Sequence, residues 1–355
     1  MCINKDEVTQ ATSLKWIQSF ISTTNLAILP FVPNILPALL PTLSQTDVIK
    51  ALGKKTNRQL ISLVHQSPTK AYNRETYLVL LKIFKDERED VRVATLDWLI
   101  MLNEPVRAND LRTHLLDILC ESSEQVAKRA LSLLALSNNA KREYGELIHL
   151  LVDVFMNKDI TESRKSLIIR SLCISLDPFK FYTTISHLLE TTPRDFTKRM
   201  VQHLNLILLT CTETAPLRQN MDRIFNTLYK SWCHSFTAVF SLCLICAKYD
   251  HASSLLECYG SFEISVNELV QLDKLVQLLE SPVFTRLRLN LLSPKKHPSL
   301  YKCMYGILML LPQSSAFATL RNRLNSVNGL VLVDLKETET DVKYFHEIQA
   351  LYHKT

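Results

Sequence analysis

Two amphipathic segments of this chain carry the same pattern 35 residues apart, and this repeat limits the possible folds more than any other feature. The first segment places Val91, Thr95 and Trp98 at three- and four-residue steps, the spacing of one face of an α-helix. The second segment, 124–137, repeats that spacing, with Val126 in the position of Val91. A single amphipathic helix cannot cover its own apolar stripe, so neighbouring repeats must cover it for one another.

A further apolar helix is predicted before each repeated segment, so that the repeating unit is a pair of helices. These preceding helices are expected at Ile35–Leu43, Thr76–Phe84 and Leu111–Cys120. A weaker copy of the second helix begins at Asp47. A pitch of roughly 35 to 42 residues with two helices per unit is typical of HEAT repeats. The predicted fold is therefore all-α, a HEAT-like α-solenoid of antiparallel helix pairs with a C-terminal helical domain.

The scarcity of glycine supports long helices joined by short turns. Only 5 Gly occur among 355 residues, whereas sheet-rich and phosphate-binding folds need glycine at tight turns. The strict repeat fades after Asp177, so HEAT-like repeats are predicted over 1–177 and a C-terminal helical domain over 178–330. A polar tail, 331–355, is predicted to contain a terminal helix that packs on another chain. The helices expected in the C-terminal domain are 178–190, 196–211, 217–230, 235–248, 266–280, and 298–325 with a break at Pro312.

No sequence motif indicates catalysis, a cofactor or a metal, and the chain is expected not to be an enzyme. Walker, GxGxxG, GxSxG and HExxH patterns are absent from the sequence. Cys211 and Arg218 lie one residue too far apart for a cysteine phosphatase loop, so a helix end is the preferred interpretation. Cys243 and Cys246 form a CxxC within an apolar run and are interpreted as core residues.

Charge and hydropathy give little support for nucleic acid or membrane-spanning functions. A net charge of +6 over the whole length is modest. The longest uninterrupted apolar run, Phe236–Ala247, is too short to cross a bilayer, so no transmembrane segment is predicted. The basic turn at Lys295, Lys296 and His297 is interpreted as a solvated loop, with acidic lipid headgroups as the alternative. His65, His149 and His203, on apolar helices, are expected to be partly buried.

Two blocks resemble one known family. The first, Trp16–Ser44, contains WIQSFISTTNLAILPFVPNILPALLPTLS, and the second, Ser281–Leu324, contains LLPQSSAF at Leu310–Phe317. Both are similar to the vacuolar scaffold family, number fourteen in the vacuole-morphology series, which organises the PIKfyve lipid kinase complex. Members of that family are considerably longer, and the Trp16 block lies near their middle. The half that binds the lipid kinase is therefore expected to be missing here, which leaves direct kinase contact in doubt.

The resemblance implies a non-catalytic scaffold that controls phosphatidylinositol 3,5-bisphosphate. Its implied partners are a Sac-domain phosphoinositide phosphatase, the PIKfyve-type kinase and further copies of itself. Its implied location is the cytoplasmic face of endosome, lysosome or vacuole membranes, as a peripheral protein with a soluble cytosolic pool. The repeats alone equally allow an adaptor in cargo or nuclear transport.

Partner contacts are predicted on the C-terminal helices, about 266–325, because aromatic and arginine side chains supply most interface hot spots. The residues chosen are Phe284, Leu287, Arg288, Tyr301, Tyr305, Phe317, Arg321 and Arg323. The alternative for each is a structural role, either in a core-facing stripe or on a solvated helix face.

Overall fold

The computed structural model describes residues 6–66, 74–86, 88–102, 115–116, 118–119, 123–137, 141–157, 160–327 and 340–353. Throughout these ranges the regular structure is helical and contains no strand, as the sequence predicts. The chain divides into two compact units, Met1–Ser175 and Leu176–Thr355.

The first unit consists of successive helices. Its α-helices are α1 Glu7–Thr24, α2 Val32–Leu39, α3 Asp47–Gln66, α4 Arg74–Ile83, α5 Glu89–Leu102, α6 Glu124–Ser137, α7 Lys141–Asn157 and α8 Glu162–Ser175. The helix predicted at Ile35–Leu43 is shorter in the structure, because α2 gives way to a 3₁₀ turn at Leu40–Ser44 that contains Pro41. The helix predicted at Leu111–Cys120 lies almost entirely outside the described residues.

The repeated segments occupy equivalent positions in the structure. Val91 of α5 and Val126 of α6 are both buried, and so is Ile49 at the corresponding point of α3. Thr95 and Trp98 complete the buried face of α5. The periodicity on which the helical-repeat prediction rests is thereby confirmed.

Polar pairs connect the second helices of successive repeats. Lys50 Nζ of α3 lies 2.6 Å from Asp90 Oδ2 of α5. One repeat further on, Arg129 Nε of α6 lies 2.6 Å from Asp97 Oδ1 of α5. Each pair is only partly exposed and fixes the position of one helix along its neighbour, which apolar packing alone does not do.

The outer face of α1 is apolar and uncovered within the described residues. Trp16 and Phe20 are each more than half exposed, with ring centroids 6.0 Å apart, and Phe31 is exposed just beyond the helix. The stretch Glu7–Ser44 is long and apolar enough to cross a membrane, in contrast to the expectation that no such segment would be found. Half of its most apolar window is buried in the protein, as in a core helix, which makes it weak evidence for a membrane span.

The second unit surrounds one buried and largely apolar helix. Its α-helices are α9 Pro178–Leu189, α10 Arg194–Thr210, α11 Ala215–Gln219, α12 Phe225–Trp232, α13 Phe236–Ile245, α14 Tyr249–Tyr259, α15 Val266–Leu278, α16 Thr285–Asn290, α17 Pro298–Leu310, α18 Ser315–Val327 and α19 Lys343–His353. The apolar helix is α13, which is buried on every side because α10, α12, α14 and α15 pack around it.

The predicted single helix at 217–230 is divided in the structure. The side chain of Asn220 donates a hydrogen bond to the carbonyl of Pro216, 3.2 Å away, and so competes with the helical bonds where α11 ends. A 3₁₀ turn at Met221–Arg223 then leads into α12. Helix α14, of 11 residues, and the six-residue helix α16 have no counterpart among the predicted elements.

The terminal helix α19 packs against its own unit, whereas the sequence analysis placed it on another chain. Phe345 is fully buried, with its ring centroid 6.2 Å from that of Phe236. Gln349 Nε2 donates to the carbonyl of Cys233 at 2.7 Å, and the Tyr352 hydroxyl donates to the carbonyl of Arg194 at 2.9 Å. The part of the polar tail before Thr340 lies outside the described residues.

Candidate partner-binding site

The region predicted to bind partners is built from α14 to α18. Helix α17 packs on α14 and on α18, and α18 packs on α15. Gly306 allows α17 to approach α14 closely, because a Cβ at this position would collide with the side chain of Leu256. These contacts hold α17 and α18, which carry several of the predicted contact residues, against α14 and α15.

Three of the predicted contact residues are buried and cannot reach a partner in this structure. Phe284 is 1% exposed, Leu287 3% and Tyr301 4%. The Tyr301 hydroxyl donates to the carbonyl of Leu291, which joins α17 to the turn after α16. We correct the prediction for these three residues, because they pack beneath a surface instead of forming one.

Two predicted arginines converge on the end of α15. Arg288 Nη1 donates to the carbonyl of Ser281 at 2.7 Å and also to that of Leu279. Arg323 makes a two-point ion pair with Glu280, at 2.7 and 2.5 Å. Arg288 therefore satisfies carbonyl groups that the helix end leaves free, and Arg323 ties α18 to α15.

The remaining predicted residues have exposed surface. Phe317 and Arg321 lie one turn apart on α18, with Phe317 partly exposed and Arg321 exposed. Arg321 has no ion-pair partner among the described residues. Tyr305 is partly exposed on α17. The residues of the predicted set that remain available to a partner are therefore Phe317, Arg321 and, in part, Tyr305.

Sequence reasoning missed the most exposed apolar residues of this region. Leu289 and Leu292 are each 60% exposed, and Met309 on α17 is more exposed still. From the sequence alone, Leu289 and Leu292 cannot be distinguished from the buried Leu287 and Leu291. The orientation of the short helix α16 decides which of these leucines face solvent, and the sequence does not predict that orientation.

The cysteines flagged in the sequence have structural surroundings. Arg218 Nη1 donates to the carbonyl of Cys211 at 2.7 Å, which confirms a helix end in place of a phosphatase loop. Burial raises the pKa of the Cys246 thiol to about 12 and raises the pKa of the Cys243 thiol well above its ordinary value. Both thiols are therefore protonated at neutral pH, as expected of packing residues.

Of the three histidines expected to be partly buried, His203 is partly buried in the structure and the other two are exposed. His65 is exposed, and His149 is exposed and lies 3.0 Å from Asp153. His234 and His251 are also partly buried, next to Tyr352 and Tyr229 respectively. Within the described part of the chain, no group of three or more His, Cys, Asp or Glu residues is placed to hold a metal ion.

The fold and this surface define an all-α, solenoid-like class of protein, in which packed helix pairs present side chains on their outer faces. Comparison with known proteins identifies the family within this class. A family model described as the vacuolar protein 14 C-terminal Fig4p-binding region matches residues 158–327. The chain belongs to the vacuolar protein 14 family.

Three curated relatives have the same level of identity. The protein VAC14 homolog of Schizosaccharomyces pombe is 37% identical over 347 residues, covering 89% of this chain and 43% of the relative. The vacuole morphology and inheritance protein 14 of Saccharomyces cerevisiae is 37% identical over 341 residues, covering 90% and 39%. The Arabidopsis thaliana VAC14 homolog is 37% identical over 342 residues, covering 91% and 46%.

The chain spans less than half the length of these curated relatives. Among solved structures, the crystal structure of an engineered protein covers 99% of this chain, at 15% identity and a TM-score of 0.32. A score this low supports no argument about the fold.

Proposed function

We propose that this chain is a non-catalytic scaffold that captures the Sac-domain phosphoinositide phosphatase and so controls synthesis and turnover of phosphatidylinositol 3,5-bisphosphate. The observation that carries the proposal is the match of residues 158–327 to a family model whose description names Fig4p binding. The helices that carry the predicted contact residues fall within the matched residues. The proposed mechanism is capture by a preformed helical surface.

The proposed phosphatase contact lies on the outer face of α18. Phe317 offers a partly exposed aromatic ring, and Arg321 offers a guanidinium group that no described residue neutralises. Aromatic residues and arginine are enriched among interface hot spots, and here the two side chains are adjacent. The ion pair between Arg323 and Glu280 holds this helix in place and so contributes to the site indirectly.

The remaining parts of the proposal concern assembly and location. We propose that copies of the chain associate with one another, and that the assembly works together with a PIKfyve-type lipid kinase. Its proposed place is the cytoplasmic face of endosome, lysosome or vacuole membranes, in exchange with a cytosolic pool. The family match favours this role over an adaptor in cargo or nuclear transport, since neither the family description nor the relatives' names point to transport.

The proposal is tested by capture of purified phosphatase on the immobilised full chain. Replacing Phe317 by Ala and Arg321 by Glu should weaken capture at least tenfold if both are hot spots. Arg58→Glu is the matched control, because Arg58 is an exposed arginine of α3 outside the matched residues. Failure of the unaltered chain to capture the phosphatase would contradict the proposed function. Capture unaffected by the α18 changes would contradict only the proposed surface.

A further inference from the structure

A long segment of the second unit has only positive charge. Residues 281–333 contain no Asp or Glu but seven Lys or Arg. Three of the seven are engaged within the protein, by helix-end carbonyls or by glutamates: Arg288, Lys302 and Arg323. Three others lie close together in sequence, are exposed and have no ion-pair partner among the described residues: Arg286, Lys295 and Lys296.

The same short stretch exposes two leucines. Leu289 and Leu292 follow Arg286 at steps of three residues, which places them on its side of α16 and of the turn that continues the helix. Leu287 and Leu291 lie on the opposite side and are buried. The turn therefore presents apolar and cationic side chains together. We call residues 285–297 the basic tip.

The basic tip is held firmly by the helices beneath it. Asn290 Nδ2 donates to the hydroxyl of Tyr249 on α14 at 2.9 Å. The ring of His297 packs edge-on against the Tyr249 ring, with centroids 5.5 Å apart. Because these contacts and the bond from Tyr301 to Leu291 fix the backbone, the two leucines cannot turn inward without breaking them.

The acidic groups of the supporting helix are already engaged. Asp250 on α14 accepts a hydrogen bond from Ser299, and Glu257 is paired with Lys302. No other acidic residue occurs on α14. Neither acidic residue of α14 is therefore paired with a basic residue of the tip.

We propose that the basic tip docks on the surface of an anionic lipid bilayer. Leu289 and Leu292 enter the interfacial layer, while Arg286, Lys295 and Lys296 face the acidic headgroups. A bilayer accepts exposed aliphatic side chains without a shaped pocket, and basic residues near an anionic leaflet strengthen the attachment. Leucine is under-represented among protein hot spots and the tip exposes no Trp, Tyr or Phe, which argues against an acidic protein surface.

Docking by one tip is weak, because stable attachment usually requires larger basic clusters or a second anchor. Several copies held in one assembly would bind much more strongly than one. The inference adds a lipid contact to the proposed function and does not depend on phosphatase capture.

The test is co-sedimentation of the full chain with large vesicles of phosphatidylcholine, with or without about 30% phosphatidylserine, at low salt. We expect binding only to the anionic vesicles. Replacing Lys295 and Lys296 by Gln should reduce the partition coefficient about thirtyfold, and replacing Leu289 and Leu292 by Ser should reduce it at least tenfold. The matched control is Lys274→Gln with Lys343→Gln, which removes two exposed lysines outside the tip.

Three outcomes would overturn the inference. The first is no binding of the unaltered chain to anionic vesicles, and the second is equal loss in the tip variant and the control. The third is loss of phosphatase capture by the Leu289→Ser, Leu292→Ser variant while vesicle binding is unchanged, which would make the tip a protein contact. Circular dichroism of each variant checks that the helical fold is retained.

Discussion

At the scale of single residues, a buried hydrogen bond joins two successive repeats of the first unit. Trp98 Nε1 on α5 donates to Asn57 Oδ1 on α3 at 2.8 Å, and both side chains are buried. A buried amide oxygen that loses its donor costs more than the bond itself contributes, because water cannot replace the donor. This pair is therefore expected to be sensitive to small changes on either side.

Replacing Trp98 by Phe should lower the free energy of unfolding of the first unit by about 2 to 4 kcal/mol, through the unsatisfied Asn57 oxygen and the volume lost. Urea denaturation followed by circular dichroism measures the loss. Adding Asn57→Leu to Trp98→Phe should restore part of the stability, since both polar partners are then gone. A double variant no more stable than Trp98→Phe would show that packing, and not the hydrogen bond, explains the loss.

A partly buried histidine of the second unit is expected to respond to pH. Burial, reinforced by the nearby Arg194, lowers the pKa of His234 to about 4. Its Nδ1 lies 2.7 Å from the Tyr352 hydroxyl, and Lys198 lies over the Tyr352 ring. The positive charge of Arg194 opposes protonation of the imidazole, whereas Lys198 is paired with Glu268.

Stability of the second unit should therefore fall as pH falls from about 6.5, the pKa of an unperturbed histidine, towards 4. Between these pH values the unfolded chain binds a proton at residue 234 that the folded chain does not bind, which favours unfolding. Above about pH 6.5 neither state binds this proton, and the neutral His234 no longer lowers the stability. Thermal unfolding measured across the window should show a smaller slope for His234→Asn. Identical slopes for both proteins would contradict the assignment. His149→Asn, at an exposed histidine, serves as the control.

At the scale of elements, the terminal helix α19 depends on one aromatic anchor. Phe345 is fully buried beside Phe236, whereas its neighbour Tyr344 is exposed. Phe345→Ala should destabilise the docking of α19 by about 3 to 5 kcal/mol, the usual cost of removing a buried phenylalanine. Hydrogen exchange of the α19 amides should then become much faster, while Tyr344→Ala leaves it nearly unchanged. Unchanged protection in Phe345→Ala would mean that the polar contacts alone hold the helix.

The sequence predicts the long helices well because their apolar stripes are long and regular. The α5 and α6 stripes, with Val91 and Val126 in matching positions, are buried as expected. Short helices such as α16 escape prediction, because six residues hold too little periodicity to define a face. A local side-chain hydrogen bond also interrupts a helix that the sequence predicts to be continuous, where Asn220 bonds to Pro216 and α11 ends.

The candidate site is predicted only in part, for the same reason. Residue type identified Phe317 and Arg321, which are accessible, but also Phe284 and Leu287, which are buried. An aromatic or aliphatic residue is equally suited to a core and to an interface, so the residue type alone cannot decide between the two locations. The exposure of Leu289 follows from the position of α16 on its supporting helices, which a single sequence does not encode locally.

At the scale of the whole molecule, an uncovered apolar face affects how the protein behaves in solution. Trp16 and Phe20 of α1 are exposed side by side, and such patches promote association. Replacing both by Glu should lower light scattering at high protein concentration and reduce binding of a hydrophobic dye, with no change in helix content. Thr12→Glu with Ser19→Glu adds the same charge on α1 but keeps the rings. An equal effect of this control would mean that net charge is responsible.

The polar pairs between second helices also restrict how a chain of this kind can change in length. Lys50 and Arg129 reach their partners Asp90 and Asp97 from opposite neighbours of α5. One residue inserted between Asp90 and Asp97 would rotate one carboxylate relative to the other by about 100° about the helix axis. Helix α5 could then form an ion pair with only one of its two neighbouring helices. We therefore expect insertions and deletions to be tolerated in the connecting loops or as complete helix pairs, so that an array of this kind changes length by whole repeats.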